Sequence, residues 1–433
     1  MSDTNSTGSI TIMNLKSLLK NRVVKNGAWL FVLQFANTVL PLLTIPYVTR
    51  ILGTLGYGQF SAAYNWITYA QVFVEYGYTL NGARKVAIGE GDEASDDRLW
   101  RGIVCSRAIL FVISLVAVSI VCMLKADAEK IRDTMILMLI VFSVVFQMNW
   151  LFQGKQEMQF ITIVNVIGRV TSVVLILLLV KKPEHVALYC FLYASTFLVS
   201  SFLGLAAAIR RFHIHPGLAS GAEIVSELRD AWPLFASTAI SRIFGSIGIT
   251  ILDAYSTEVA VGIYSAVYKI PFMLNLCFAP ISQALFPHMS QKYAADPKAA
   301  VRLCTKLMLV CTGVFSVICA VLMAARNWLV PLLFGEEYAS GANLVLLLGP
   351  QLVLGIINNF LGVQTLVAGG MKEQYSRCVL VNMAVLIASN LLLCPRLGEY
   401  GTAWSALLAE FVLTIVLVFN CSRLVWRKKD IQT

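Results

Sequence analysis

The sequence predicts an all-α integral membrane protein with twelve transmembrane helices in two six-helix lobes related by a parallel internal repeat. Three observations lead there. Of 433 residues, 58% are hydrophobic and 13% charged, with a mean hydropathy of +0.74, more apolar surface than a water-soluble core can bury. Twelve stretches are apolar over about 20 residues, the length of a helix crossing the hydrocarbon layer, where only closed hydrogen-bonding elements persist. Finally, the chain echoes itself: Gly58-Gln59-Phe60-Ser61-Ala62-Ala63-Tyr64 returns as Gly262-Ile263-Tyr264-Ser265-Ala266-Val267-Tyr268, and Ala28-Trp29 as Ala231-Trp232. Gly154, Gln159 and Phe160 align more weakly with Gly369, Gln374 and Tyr375. Parallel repeats of this kind build transporters with a substrate path between the halves.

A polar leader opens the chain, and the Leu and Lys/Arg mixture of residues 14–25 suits a short amphipathic helix on the membrane surface. No cleavable signal pattern is visible. The first lobe, 1–209, has spans near 28–49, 58–80, 102–124, 134–152, 160–180 and 186–209. In the first of them Gln34, Asn37, Pro41 and Thr44 recur at steps of three, four and three, giving one polar face to turn toward protein or water. Pro41 and Pro46 interrupt the same helix, which is tolerated where freed carbonyls meet a cavity or another helix. The charged connector at 81–102 reads as a solvated loop. Span five places Thr162, Asn165, Arg169 and Ser172 on one face, with the arginine near mid-span.

A linker, 210–230, leads to the second lobe, 231–433, with spans near 231–252, 259–286, 303–325, 342–366, 376–394 and 402–424. Span seven offers Thr238, Arg242, Gly245, Ser246 and Asp253, and span eight Ser265, Lys269 and three prolines. Gln351 and Asn358 stand seven apart on the tenth, and Glu410 lies within the twelfth. Lys and Arg outside the spans concentrate on the side of the amino terminus, so the positive-inside rule puts both termini in the cytoplasm.

An embedded charge costs about 2.5–3.5 kcal/mol on insertion scales, so each needs a partner or a wet cavity. Arg50, Arg107, Arg169, Arg242 and Lys269 stand in or at the edges of spans, against Glu75, Asp253 and Glu410. This cationic surplus suits an anionic cargo group such as a diphosphate, whose oxygens match the forked donors of arginine; Arg242 is the leading site. Residue by residue, alternatives stay open. Arg242 can instead lock to Asp253, Arg107 can snorkel to the cytoplasmic edge, and Glu75, Asp253 and Glu410 are either ion-coupling carboxylates or counter-charges. The polar cavity face is expected from Gln34, Asn37, Thr44, Gln351 and Asn358.

Other chemistries find little support. The ten cysteines lack paired spacings and read as small apolar side chains. His213 and His215 have no Cys or carboxylate at ligand spacing, so neither metal nor cofactor is expected. There is no G-x-x-x-x-G-K-[ST] phosphate loop. No connector is long enough for a catalytic domain such as a polymerase or glycosyltransferase, so the chain is not read as an enzyme. The net charge of +10 sits in connectors that set orientation, and no nucleic-acid partner follows from it.

Three stretches carry a family likeness: Pro46-Tyr47-Val48-Thr49-Arg50-Ile51-Leu52-Gly53 with the following YGQF, Asn149-Trp150-Leu151-Phe152-Gln153-Gly154 with Met158, and Leu333-Phe334-Gly335-Glu336-Glu337-Tyr338. Together they resemble the Wzx-type polysaccharide flippases of the multidrug/oligosaccharidyl-lipid/polysaccharide exporter superfamily, over nearly the whole chain. Glu157 stands one position later than the Glu that the family often carries there. The resemblance implies two MATE-like six-helix lobes around a central cavity and alternating access. The implied cargo is an undecaprenyl-diphosphate-linked sugar unit, moved from the cytoplasmic to the periplasmic leaflet of the bacterial inner membrane. It also implies a role in O-antigen and lipopolysaccharide biosynthesis, with membrane lipid, a polymerase and a chain-length regulator as partners. The alternative on the same fold is a cation-coupled small-molecule exporter, which would need an acidic cavity.

Overall fold

In hydrocarbon every backbone N–H and C=O must pair within its own element, and the chain answers with helix throughout; no strand occurs among the described residues. The computed structural model describes residues 22–89, 93–125 and 127–427, and the surface helix expected at 14–25 falls almost wholly outside them. In order the helices are α1 (Arg22–Glu75), α2 (Tyr78–Ile88), α3 (Glu93–Lys125), α4 (Ala128–Val145), α5 (Asn149–Gly154), α6 (Met158–Leu179) and α7 (Val186–Phe212). There follow α8 (Gly221–Tyr255), α9 (Glu258–Val267), α10 (Lys269–Ala295) and α11 (Pro297–Phe334). A 3-10 segment (Glu336–Leu344), α12 (Val345–Asn359), a π-helical stretch (Phe360–Val367) and α13 (Lys372–Arg427) complete the chain.

Nine of these helical runs are long and apolar enough to cross a bilayer, or ten if Gly221–Ile240 with Arg242–Tyr255, bent by 46°, counts as one. Two runs are too long for one crossing. Lys25–Ile88 has 64 residues and Lys372–Ser422 has 51, about 96 and 77 Å if straight at 1.5 Å per residue, against about 30 Å of hydrocarbon. Each is broken at a glycine, Gly53 with φ 68° and Gly398 with φ 55°, a region that residues with a Cβ avoid. The gaps expected at 50–57 and 395–401 are therefore each reduced to a kink at one non-helical glycine between two helices. Elsewhere capping side chains end the turns. Ser220 and Glu223 form a reciprocal capping box at α8. Asp296 accepts from the Ala299 and Lys298 amides at 3.0 and 2.9 Å ahead of Pro297, bonds that hold its carboxyl below the usual carboxylate range.

In the N-terminal half α1, α4, α6 and α7 pack together; in the C-terminal half α12 packs between α11 and α13. The halves meet most tightly where α1 crosses α9, and the contact is reciprocal. A Cβ on Gly58 would lie 1.9 Å from the Glu258 carbonyl oxygen, and one on Gly262 would lie 2.1 Å from that of Thr54. Each carbonyl belongs to the residue four before its own glycine. Further along, Phe60 stacks on Tyr64 at 5.7 Å and 12°, and Tyr264 on Tyr268 at 5.7 Å and 13°. These are the echoed heptads.

The end of the bundle that carries Gly53 is sealed by contacts between the halves. The Tyr338 hydroxyl donates to the Gly53 carbonyl at 2.9 Å, the Thr54 amide to Glu337 at 3.1 Å, and the Arg50 guanidinium to the Leu332 carbonyl. Lys130 pairs with Asp253 at 2.5 Å, and Asn65 donates to Thr250 at 2.8 Å. At the opposite, linker end, the start of α8 lies on the N-terminal half. There Lys85 bonds Glu227 at 2.8 Å and Asp230 at 2.9 Å, and Tyr76 stacks on Phe235 at 4.4 Å.

Candidate functional site: two adjoining cavities

Between the halves lies a cavity of about 360 Å³, within the usual range for ligand sites. The polar stripe of α1 reaches it through Asn37, Pro41 and Thr44. Because Pro41 has no N–H, the Asn37 carbonyl loses its helical donor at this wall. α6 contributes Arg169 and Ser172, α8 contributes Gly245 and Ser246, and the α9–α10 junction contributes Ser265 and Lys269. Among the described residues no carboxylate lines this cavity. Among the described residues neither Arg169 nor Lys269 has an Asp or Glu oxygen within 4.0 Å. The Lys269 ammonium lies 5.6 Å from the Phe272 ring centroid, a favourable but weak contact.

The same cavity has a cluster of rings in its wall that sequence reading missed. Phe60, Tyr64, Tyr189 and Tyr193 pack edge to face or stacked, with centroids 4.6 Å apart for Phe60–Tyr189 and 5.4 Å for Tyr64–Tyr193. Their i,i+4 spacing, 60 with 64 and 189 with 193, was the available signal.

A second cavity, about 500 Å³, lies inside the C-terminal half and adjoins the first through shared wall residues Gly245, Ile249, Tyr268 and Phe272. Gln351, Asn358 and Glu410 line this one. Glu410 accepts from Asn358 at 2.7 Å, and the Thr414 hydroxyl donates to Asn358 at 2.8 Å. The expected polar face is thus divided between two chambers. Gln34 is in neither wall; it is exposed, about one turn beyond Asn37 toward the linker end.

The remaining expected site residues fall elsewhere, and the structure corrects their reading. Arg242 is exposed and lines neither cavity, although it shares the α8 face of Gly245 and Ser246, one turn nearer the linker end. It does not lock to Asp253, whose carboxylate is held by Lys130 and by the Trp66 indole at 3.4 Å. Asp253 is therefore part of the seal. So is Arg50, whose guanidinium crosses to α11 and whose stem packs under Gly335. Glu75 caps α2, accepting from the Gly77 and Thr79 amides at 3.1 and 2.9 Å. Arg107 does not snorkel. It is wholly buried, donates to the Gln147 carbonyl at 2.9 Å, and lies 5.6 Å from the Tyr78 ring centre. That carbonyl is free because the helix breaks between α4 and α5.

The three motifs are accounted for in the same way. Pro46–Gly53 and Leu333–Tyr338 are the two sides of the seal, joined by Arg50, Gly53 and Glu337. Asn149–Gly154 is a packing element: Trp150 is wholly buried against Gly82, and Gly154 fits against Val86 of α2. Glu157 pairs with Arg211 at 3.2 Å, and the linker's His215 is taken by Asp97 at 2.9 Å.

The family described as "Polysaccharide biosynthesis protein" matches residues 23–293. A protein of Escherichia coli (strain K12) named "Putative O-antigen transporter" is 25% identical over 400 residues, 91% of this chain and 95% of that one. Among solved structures, the lipid II flippase MurJ in an inward closed conformation aligns with a TM-score of 0.68 at 13% identity, covering 91% of this chain and 87% of that chain. An inward-facing MATE family multidrug resistance transporter of the MOP superfamily aligns at 0.67 and 15%, covering 90% and 99%. With the fold of those structures and a family match over well more than half its length, this multi-pass membrane chain belongs to the polysaccharide biosynthesis protein family.

Proposed function

We propose that this chain flips an undecaprenyl-diphosphate-linked oligosaccharide of O-antigen type across the bacterial inner membrane by alternating access. The observation that carries the reading is Arg169 and Lys269 in the cavity between the halves with no carboxylate among the described residues of its wall. An arginine fork and an ammonium in a site of low dielectric suit the oxygens of a diphosphate, and water in the cavity offsets their insertion cost. The lipid tail stays in the bilayer, between the lobes. Ten apolar runs and two glycine breaks, Gly53 and Gly398, support twelve crossings. The reciprocal Gly58–Gly262 contact supports lobes at 1–209 and 231–433 related by a repeat, joined by the 210–230 linker.

By the positive-inside rule both termini and the linker end are cytoplasmic, so the Gly53 seal is periplasmic. Arg242 then stands at the cytoplasmic approach to the cavity. Glu410, a carboxylate with no cation within 4.0 Å among the described residues, is the candidate for ion coupling. That same residue is what the runner-up, a cation-coupled small-molecule exporter, would draw on.

Deleting the gene tests the choice. An undecaprenyl-diphosphate-linked glycan is expected to accumulate in the inner leaflet, and the wild-type gene on a plasmid should clear it. No accumulation, together with loss of efflux of cationic dyes, would favour the exporter instead.

A further inference from the structure

The chamber inside the C-terminal half differs in chemistry from the cavity beside it. Among the described residues no Lys or Arg lines it; its polar residues are amides, Thr402, Tyr264, Tyr268, Tyr375 and the one carboxylate Glu410. Two of the amides are buried and incompletely bonded. Asn382 is 3% exposed with its Oδ1 unpartnered. Asn390 is wholly buried; its Oδ1 accepts from Thr402 at 3.2 Å while its Nδ2 has no partner. Gln351 adds a third such atom, its Oε1.

Buried polar atoms left unpaired cost free energy, and here donors and acceptors are both left over, on neutral residues that line a chamber of about 500 Å³. A diphosphate supplies acceptors alone and would meet Glu410. A cation supplies donors alone and would leave Asn390 Nδ2 unpaired. A hydroxyl supplies both. At the threshold with the first cavity, the stacked rings of Tyr264 and Tyr268 offer flat apolar surface of the kind that covers the C–H face of a sugar ring.

We propose that this chamber is the sugar subsite of the cargo path, taking neutral, hydroxyl-rich residues while the adjoining diphosphate is held at Arg169 and Lys269. It rests on the flippase reading for the diphosphate. The subsite assigns Asn382 and Asn390 to glycan selectivity and separates it from the charge recognition common to any lipid diphosphate.

The test uses the full chain in lipid nanodiscs and two probes, undecaprenyl diphosphate and the same lipid carrying one N-acetylglucosamine. Wild-type protein is expected to bind the sugar-bearing lipid at least about tenfold more tightly, the effect of one or two added hydrogen bonds. Asn382→Leu with Asn390→Leu should bring the two affinities together by weakening the sugar-bearing lipid alone. Gly355→Leu should do the same by filling: it removes no polar group, and a Cβ at this lining position meets nothing within 4 Å. Unchanged binding of the bare lipid shows that the variants are folded. Equal wild-type affinity for both probes, or equal weakening of both by the variants, overturns the subsite. Wild-type protein that binds neither probe strikes the flippase reading itself.

Discussion

Lys269→Glu should abolish delivery of glycan to the cell surface while leaving the protein at normal levels in the membrane. Lys269 lines the cavity between the halves together with Arg169; among the described residues it pairs with no carboxylate and no acid lines that cavity. Taking away one favourable charge about 5 Å from a phosphate costs about 3 kcal/mol at an effective dielectric of 20, a factor above a hundred in binding, and reversal costs more. Because no structural ion pair is broken, folding should survive. Surface-glycan blots of a deletion strain carrying the variant, with membrane levels measured in parallel, read the outcome. Arg50→Gln and Arg107→Gln should behave differently, lowering protein stability first, since one crosses the seal and the other is buried on a carbonyl.

The second large effect is expected at the helix crossing. Gly58→Leu must place its first carbon within 1.9 Å of a backbone carbonyl that cannot swing aside, and Gly262→Leu meets the mirror-image obstacle at 2.1 Å. Overpacking of this kind costs about 1–3 kcal/mol or more, and it falls on the surface that closes one end of the path. Each variant should lose export and unfold at lower temperature in detergent. The double variant should lose less stability than the two singles summed, because both push the same pair of helices apart. Gly313→Leu, exposed on α11 with nothing within 4 Å of its Cβ, should leave export and melting unchanged. If Gly58→Leu exports normally, the crossing is not a closing surface.

These two expectations mark how far the sequence was legible. The apolar runs and the echo of residues 58–64 at 262–268 were readable because insertion and repeat leave marks in composition and order. That the two echoed segments touch each other was not, since similarity of sequence says nothing of where two segments lie. The face of a helix was legible for Arg169 with Ser172 and for Lys269 with Ser265, which line the cavity together, but depth and partners were not. Arg242 shares the α8 face of Gly245 and Ser246, yet it lies one turn beyond the cavity wall, and Asp253, its alternative partner, is captured by Lys130 from the other half. Arg107 misled because its acceptor is a carbonyl freed by a break at residues 146–148, which no hydropathy window detects. The motifs that identify the family were easy to see and described packing and closure. The aromatic wall and the buried Asn382 and Asn390, which face the cavities, were hidden in spans that read as plain apolar helix.

The affinity of the purified chain, in lipid nanodiscs, for undecaprenyl diphosphate against uncharged undecaprenol tests the role of the two cavity cations most directly. Wild-type protein should prefer the diphosphate by at least about a hundredfold, and Arg169→Gln with Lys269→Gln should remove that preference. A double variant that still binds the diphosphate as the wild type does would contradict the account.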